Sequence, residues 1–334
     1  MTYEEIMKEI EEDKVCHMEH IHEFLSKRKG DDELVFEEYQ GEDKKGIIEI
    51  TRAICDDNVQ IIGSVDTIHN VSVVYARDGY YECACSVLKK GLDINKYAKN
   101  KDLLADYLKY STCSQQADFD LAEEYYKRLL SIDKKRWNWR AFSFSIDYLL
   151  SFLDSFDSDD EQILNECLQL AKEYKEKLGS SENGDKAYHA LANVYFKDGN
   201  AAEGQKILRL AVEALKKAPM CALQLSEILF DNGMFDEAGK HIRRCISMNI
   251  DVDSSINMGY PYILSALCRI MSVYEKIEEI DDVQEKKNIT KLIKKDYESA
   301  KSILGGNETR VRNLKSQLII LEKQLNISDE DEFY

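Results

Sequence analysis

The chain has 334 residues, 44% of them hydrophobic, and a formal net charge of −18. That balance argues against a nucleic-acid-binding module, which needs a basic footprint to displace counterions, and against docking on an anionic membrane. No run of about 18 apolar residues is present to span a bilayer, and the Met1-Thr2-Tyr3-Glu4-Glu5 start is not a signal peptide.

Residues 3–28 read as one helix, with Ile6, Ile10, Val15, Met18, Ile21, Phe24 and Leu25 near helical spacing. The acidic, glycine-punctuated stretch 29–45 reads as a loop. Residues 1–45 hold 15 acids and 7 Lys or Arg, a net −8, read as solvation or as a docking surface for a basic partner. A short helix follows at 46–58, with Ile47, Ile50 and Ile54 inward.

From about residue 66 the pattern becomes one of paired helices. Val71, Tyr75, Gly79, Tyr81, Ala84, Leu88 and Gly91 mark a first unit. The glycine allows a positive-φ turn between antiparallel helices, the small residue allows close approach, and the large apolar residues fill the grooves. A second unit spans about 101–133, its first helix Leu103 to Cys113. A third begins at Trp137-Asn138-Trp139-Arg140, with its second helix at 160–178.

The fourth and fifth units, 185–218 and 219–252, repeat in phase. Tyr188, Leu191, Ala192, Tyr195, Gly199, Asn200, Gly204, Leu208 and Ala211 recur 34 residues later as Ala222, Leu225, Ser226, Leu229, Gly233, Met234, Ala238, Ile242 and Cys245. Two amphipathic helices of this length cannot bury their apolar faces alone, so the period implies a stacked solenoid. After a long connection from Asp251, helices are expected at 262–280, 284–304 and 308–325. The last places Val311, Leu314, Leu318, Leu321 and Leu325 on one seam, either a cap on the final repeat or a dimer contact. The fold class is therefore all-α. The expected layout is an acidic helical segment at 1–58, repeats at 59–252, capping helices at 253–326 and an acidic tail at 327–334.

The in-phase pair resembles the tetratricopeptide repeat superfamily, and residues 66–95 and 102–133 resemble it more loosely; the closing proline of the family pattern is absent. The resemblance implies a right-handed superhelix that binds a protein or peptide on the concave face of its first helices, without catalysis or cofactor. Carried over by position, the binding candidates are Lys186, His189, Asn193 and Lys197 in the fourth unit. Met220, Gln224, Glu227 and Asp231 follow in the fifth, Trp137, Arg140 and Phe144 in the third, and Asn70 and Arg77 in the first. An Asn at the place of Asn193 implies a contact to a ligand's backbone, for which an amide supplies both donor and acceptor. Lys186, Lys197 and Arg140 suit a carboxylate. The acidic tail 329–334 reads as disordered, or alternatively as an autoinhibitory or partner-docking peptide that suits such cations.

Other chemistry is sparse. Cys16 and His20 sit four apart, a spacing that can share a helix face and a zinc ion, but further ligands are not evident. His69, His189 and His241 have no nucleophile at a meaningful spacing. No phosphate-binding loop, dinucleotide glycine motif or hydrolase signature occurs. Nine cysteines without a CxxC pair fit a reduced, cytoplasmic protein. The alternative to a scaffold is a peptide-responsive regulator with residues 1–58 as its effector; the oligomeric state is left open.

Overall fold

The computed structural model describes residues 2–26, 42–114, 118–155, 160–248, 259–280 and 282–325. The expected loop at 29–45 and the connection from Asp251 fall mostly outside these residues, the connection's last three residues, 259–261, being helical, and the acidic tail lies wholly outside them. The chain divides into two compact units, Met1–Tyr174 and Lys175–Tyr334, and is overwhelmingly helical.

Unit 1 opens differently from the single long helix expected. α1 (Tyr3–Asp13) starts with a reciprocal cap: Glu5 N–H donates to Thr2 Oγ1, and Thr2 N–H donates to the Glu5 carboxylate. It stops at Lys14, which has φ of 57°, the sole positive-φ non-glycine residue among those described. β1 (Val15–His17) follows and pairs in parallel with β2 (Gln60–Ile62), Cys16 opposite Ile61. α2 (Met18–Ser26) and α3 (Glu42–Cys55) complete this segment. The apolar residues kept helical spacing across the break, and no glycine or proline marked it.

Three helix pairs follow: α4 (Val65–Arg77) with α5 (Tyr81–Asp93), α6 (Lys101–Ser111) with α7 (Phe119–Leu130), and α8 (Trp139–Ser155) with α9 (Glu161–Leu178). The unit division falls within α9. α4 lies against α6, and α6 against α8, so first helices neighbour first helices.

Unit 2 contains α10 (Gly184–Lys197), α11 (Ala201–Ala214), α12 (Pro219–Asp231), α13 (Phe235–Ser247), α14 (Gly259–Glu275), α15 (Val283–Leu304) and α16 (Thr309–Gln324). The repeat is literal at its turns. Gly199 and Gly233 have φ of 73° and 76°. Asn200 N–H donates to Tyr195 O at 2.9 Å, and Met234 N–H to Leu229 O at 2.8 Å. Gly79 in unit 1 (φ 81°) makes the same turn, with Tyr80 N–H to Tyr75 O at 2.9 Å. These are six-to-one helix stops, which need a left-handed residue and so select glycine.

The α16 seam packs within unit 2. Val311, Leu314, Leu318, Leu321 and Leu325 are buried in one cluster with Ile263, Ile270 and Ile293 of α14 and α15. That occupies the face a dimer seam would have used.

Candidate functional site

In unit 2 the first helices α10, α12 and α14 lie side by side, and a row of amides crosses from α10 to α12. His189 and Asn193 are four apart on α10, so both point from one face. Asn193 Nδ2 meets His189 Nδ1 at 3.3 Å, and Gln224 Nε2 donates to Asn193 Oδ1 at 2.6 Å. Gln224 Oε1 is shielded from solvent and has no hydrogen-bond partner among the described residues. Buried acceptors are rarely left this way. Asn193 is thus engaged on both sides, and the unmet valence of the row is on Gln224. Lys186 is half-buried on α10, while Lys197 is exposed at its last residue.

One turn along α12, burial pushes the Glu227 carboxyl above its usual range, opposed by a hydrogen bond from Tyr260 of α14. The Tyr260 phenol is pushed up to about 12 by burial and by Glu227. Asp231 is exposed beyond it. Met220 enters through its backbone: Asp185 of α10 accepts its N–H at 2.8 Å and that of Cys221 at 3.1 Å.

In unit 1 the first helices α4, α6 and α8 carry an ionic row. Asp106 has 2% side-chain exposure, and its Oδ2 lies 2.6 Å from His69 Nδ1. His69 Nε2 lies 3.1 Å from Arg140 Nη1. Asn138 Nδ2 donates to Asp102 Oδ1 at 2.6 Å, Lys101 pairs with Asp102 at 3.1 Å, and Lys109 with Asp147 at 2.9 Å. The Arg140 guanidinium lies 5.6 Å from the Trp139 ring centroid, and Phe144 packs edge-on to Trp139.

Trp137 is not on this face. The residue is 3% exposed, and its ring packs edge-on against Phe142 at 5.1 Å and donates Nε1–H to Ile132 O at 3.2 Å. A tryptophan at the start of a helix pair can be an anchor or a wedge; here it is the wedge. Asn70 and Arg77 are exposed on α4. Asp106, which nothing in the local pattern distinguished from a polar helix position, holds the ionic row together.

The Cys16/His20 spacing loses its meaning because the helix breaks between the two. Cys16 sits buried in β1, its thiol pushed up to about 12 by burial. His17 and His20 both lie against Glu9, at 3.0 and 3.1 Å. Among the described residues no group of three or more metal-ligating side chains converges, and no helix is long and apolar enough to cross a membrane.

The tetratricopeptide repeat family model matches residues 111–136 and 185–214. These two segments match tetratricopeptide repeats. The second match covers α10 and α11, whose first helix bears the His189–Asn193 pair, and the first covers α7. No curated protein sequence matches the chain significantly. Among solved structures it resembles PilF of Pseudomonas aeruginosa (14% identity, 75% of this chain and 96% of that one, TM-score 0.45). It also resembles the Thermus thermophilus repeat protein TTC0263 (15%, 61% and 100%, TM-score 0.46). Human IFIT1, solved with PPP-AAAA, is similar at 14% identity over 85% of this chain and 62% of that one, with a TM-score of 0.42. At such scores and identities nothing about ligands transfers. Tetratricopeptide repeat proteins are in general interaction scaffolds without catalysis.

Proposed function

We propose that this chain is a non-enzymatic scaffold that holds an extended protein segment against the first-helix face of its repeats. The amide row His189–Asn193–Gln224 carries the proposal, because Gln224 Oε1 is a shielded acceptor with no donor among the described residues. A peptide N–H satisfies that acceptor, and amide side chains suit a peptide backbone because they offer both hydrogen-bond senses. Glu227 and Tyr260 extend the polar row along the same face. Lys186, His189 and Lys197 line α10 beside it. The nine cysteines are all unpaired, which fits a reducing compartment such as the cytoplasm. The net charge of −18 favours a protein partner over nucleic acid.

The test is selection of binders from a displayed random-peptide library on the full chain, followed by affinity measurement on Gln224→Leu. The substitution keeps the side chain's approximate size and removes the acceptor. A selected peptide that binds wild type and loses about tenfold on Gln224→Leu, about 1.4 kcal/mol, supports the reading. Equal binding to both moves the ligand off this face. If residues 1–58 act instead as an effector under peptide control, bound peptide alters hydrogen exchange in α1 to α3.

A further inference from the structure

On the first-helix face of unit 1, Arg140 is held differently from the neighbouring lysines. Lys101 and Lys109 each face a carboxylate, Asp102 and Asp147 respectively. Arg140 has no carboxylate within ion-pair distance among the described residues, in a chain that carries 63 acids against 45 Lys and Arg. Its one side-chain hydrogen bond is to a histidine nitrogen.

That contact fixes the chemistry. A guanidinium is always protonated and only donates, so His69 Nε2 accepts. The His69 proton then lies on Nδ1 and is donated to Asp106, whose carboxylate is buried. The chain Asp106–His69–Arg140 links α6, α4 and α8 and holds the guanidinium in place without neutralising it by direct pairing. The other N–H groups of the fork suit a carboxylate or a phosphate oxyanion. Trp139 flanks it with aromatic surface and Phe144 packs edge-on against Trp139, and Tyr110 is close enough to Arg140 and Asp106 to feel both charges.

We propose that Arg140 is an oxyanion-binding residue, taking a carboxylate or a phosphorylated side chain of a bound peptide whose neighbouring apolar residue packs on Trp139 and Phe144. The proposal rests on the scaffold reading but on a different unit and different residues. His69 and Asp106 are positioning residues that aim the fork.

Two measurements on the full chain test it. In the first, inorganic phosphate and glutarate are titrated separately while the fluorescence of Trp139 is followed in a Trp137→Phe background. A saturable change with either anion, lost in Arg140→Gln and weakened in His69→Gln, supports the site. The anion that acts, phosphate or glutarate, identifies the source of the oxyanion. No change, or an equal change in Arg140→Gln, overturns it. In the second, library-selected peptides are compared as Glu, phosphoserine and Gln versions. About tenfold loss on replacing Glu or phosphoserine by Gln, absent in Arg140→Gln, supports the site. A peptide weakened by Gln224→Leu but indifferent to Arg140→Gln overturns this site while leaving the scaffold reading intact. If no peptide is selected, the scaffold reading fails and the anion titration still decides. Preferential binding of a single-stranded RNA oligonucleotide at Arg140 over every peptide overturns the peptide assignment. Circular dichroism of each variant separates lost binding from lost fold.

Discussion

Asp185 of α10 reaches across to the next repeat and caps α12, its Oδ2 accepting the Met220 N–H at 2.8 Å. Its other oxygen takes the Cys221 N–H at 3.1 Å. α12 needs this because Ala218 at its own cap position has no side-chain acceptor, and Pro219 fills the first turn. The carboxylate also sits at the positive end of the helix dipole. One residue therefore sets the register of α10 against α12, the two helices that carry the amide row.

Replacing Asp185 by Ala leaves two shielded N–H groups without acceptors. The expected cost is about 2 kcal/mol, at the upper end for a cap because the residue is buried and the bonds are charge-assisted. Asp185→Asn, which keeps one acceptor, costs about half as much. Urea unfolding midpoints check both; equal midpoints for Ala and wild type would remove the cap from the account.

Close approach of α4 and α5 depends on Gly91. A Cβ placed there would lie 2.8 Å from Ile68 Cγ2, and both residues are fully buried. Overpacking costs about 1–3 kcal/mol, offset by about 1 kcal/mol of helix propensity gained by Ala over Gly. Gly91→Ala is expected to lower stability in wild type and to cost nothing in an Ile68→Ala background, where the opposing methyl is gone. Equal effects in both backgrounds would refute the contact.

Cys55, exposed at the end of α3, has its thiol lowered to about 7. The hydrogen bond from Cys83 is the main cause, followed by Ser86 and the nearby Lys90 ammonium, against the opposing effect of burial. Since the thiolate is the reactive form, iodoacetamide should modify Cys55 with a rate that rises through pH about 7. In Cys83→Ala the inflection moves upward toward the ordinary thiol range. Peptide mass spectrometry over a pH series gives the profile, and an unmoved inflection would assign the shift to another cause.

Glu227 provides a pH signature on the candidate face. Burial raises its folded carboxyl above the unfolded value. Stability from the protonated form is thus present below the unfolded value and lost as pH rises through the folded one. Glu227→Gln, which still accepts from Tyr260, is expected to raise the melting temperature at pH 7, with the gain shrinking as pH falls below the carboxylate range. A gain that persists unchanged in acid would show that the charge is not its source.

The repeats were legible where local chemistry enforces them. Gly199 and Gly233 announce the turns because only a residue tolerant of positive φ closes a six-to-one stop, and the apolar residues around them carry the helical period. The N-terminal break was not legible: Lys14 adopts a left-handed conformation with no glycine to signal it. The strand it leads into exists only because Gln60, far along the chain, pairs with Val15. The same distinction applies to function. His189 and Asn193 share one helix and could be read by spacing, whereas the 34-residue period carries Asn193 to Glu227 and not to its partner Gln224. The Asp106–His69–Arg140 row joins residues 37 and 71 positions apart, so no window of sequence contains it. Spacing alone left Trp137 readable as an anchor or as core, because exposure of an aromatic side chain depends on which neighbour covers it, here Phe142.

The central claim is that the first-helix face around Gln224 holds a peptide backbone. The most direct measurement is the affinity of a library-selected peptide for the full chain, compared among wild type, Gln224→Leu and Asn193→Ala. About tenfold weakening in Gln224→Leu, and at least as much in Asn193→Ala, is the predicted result. Unchanged affinity in both variants, with the fold intact by circular dichroism, would contradict it.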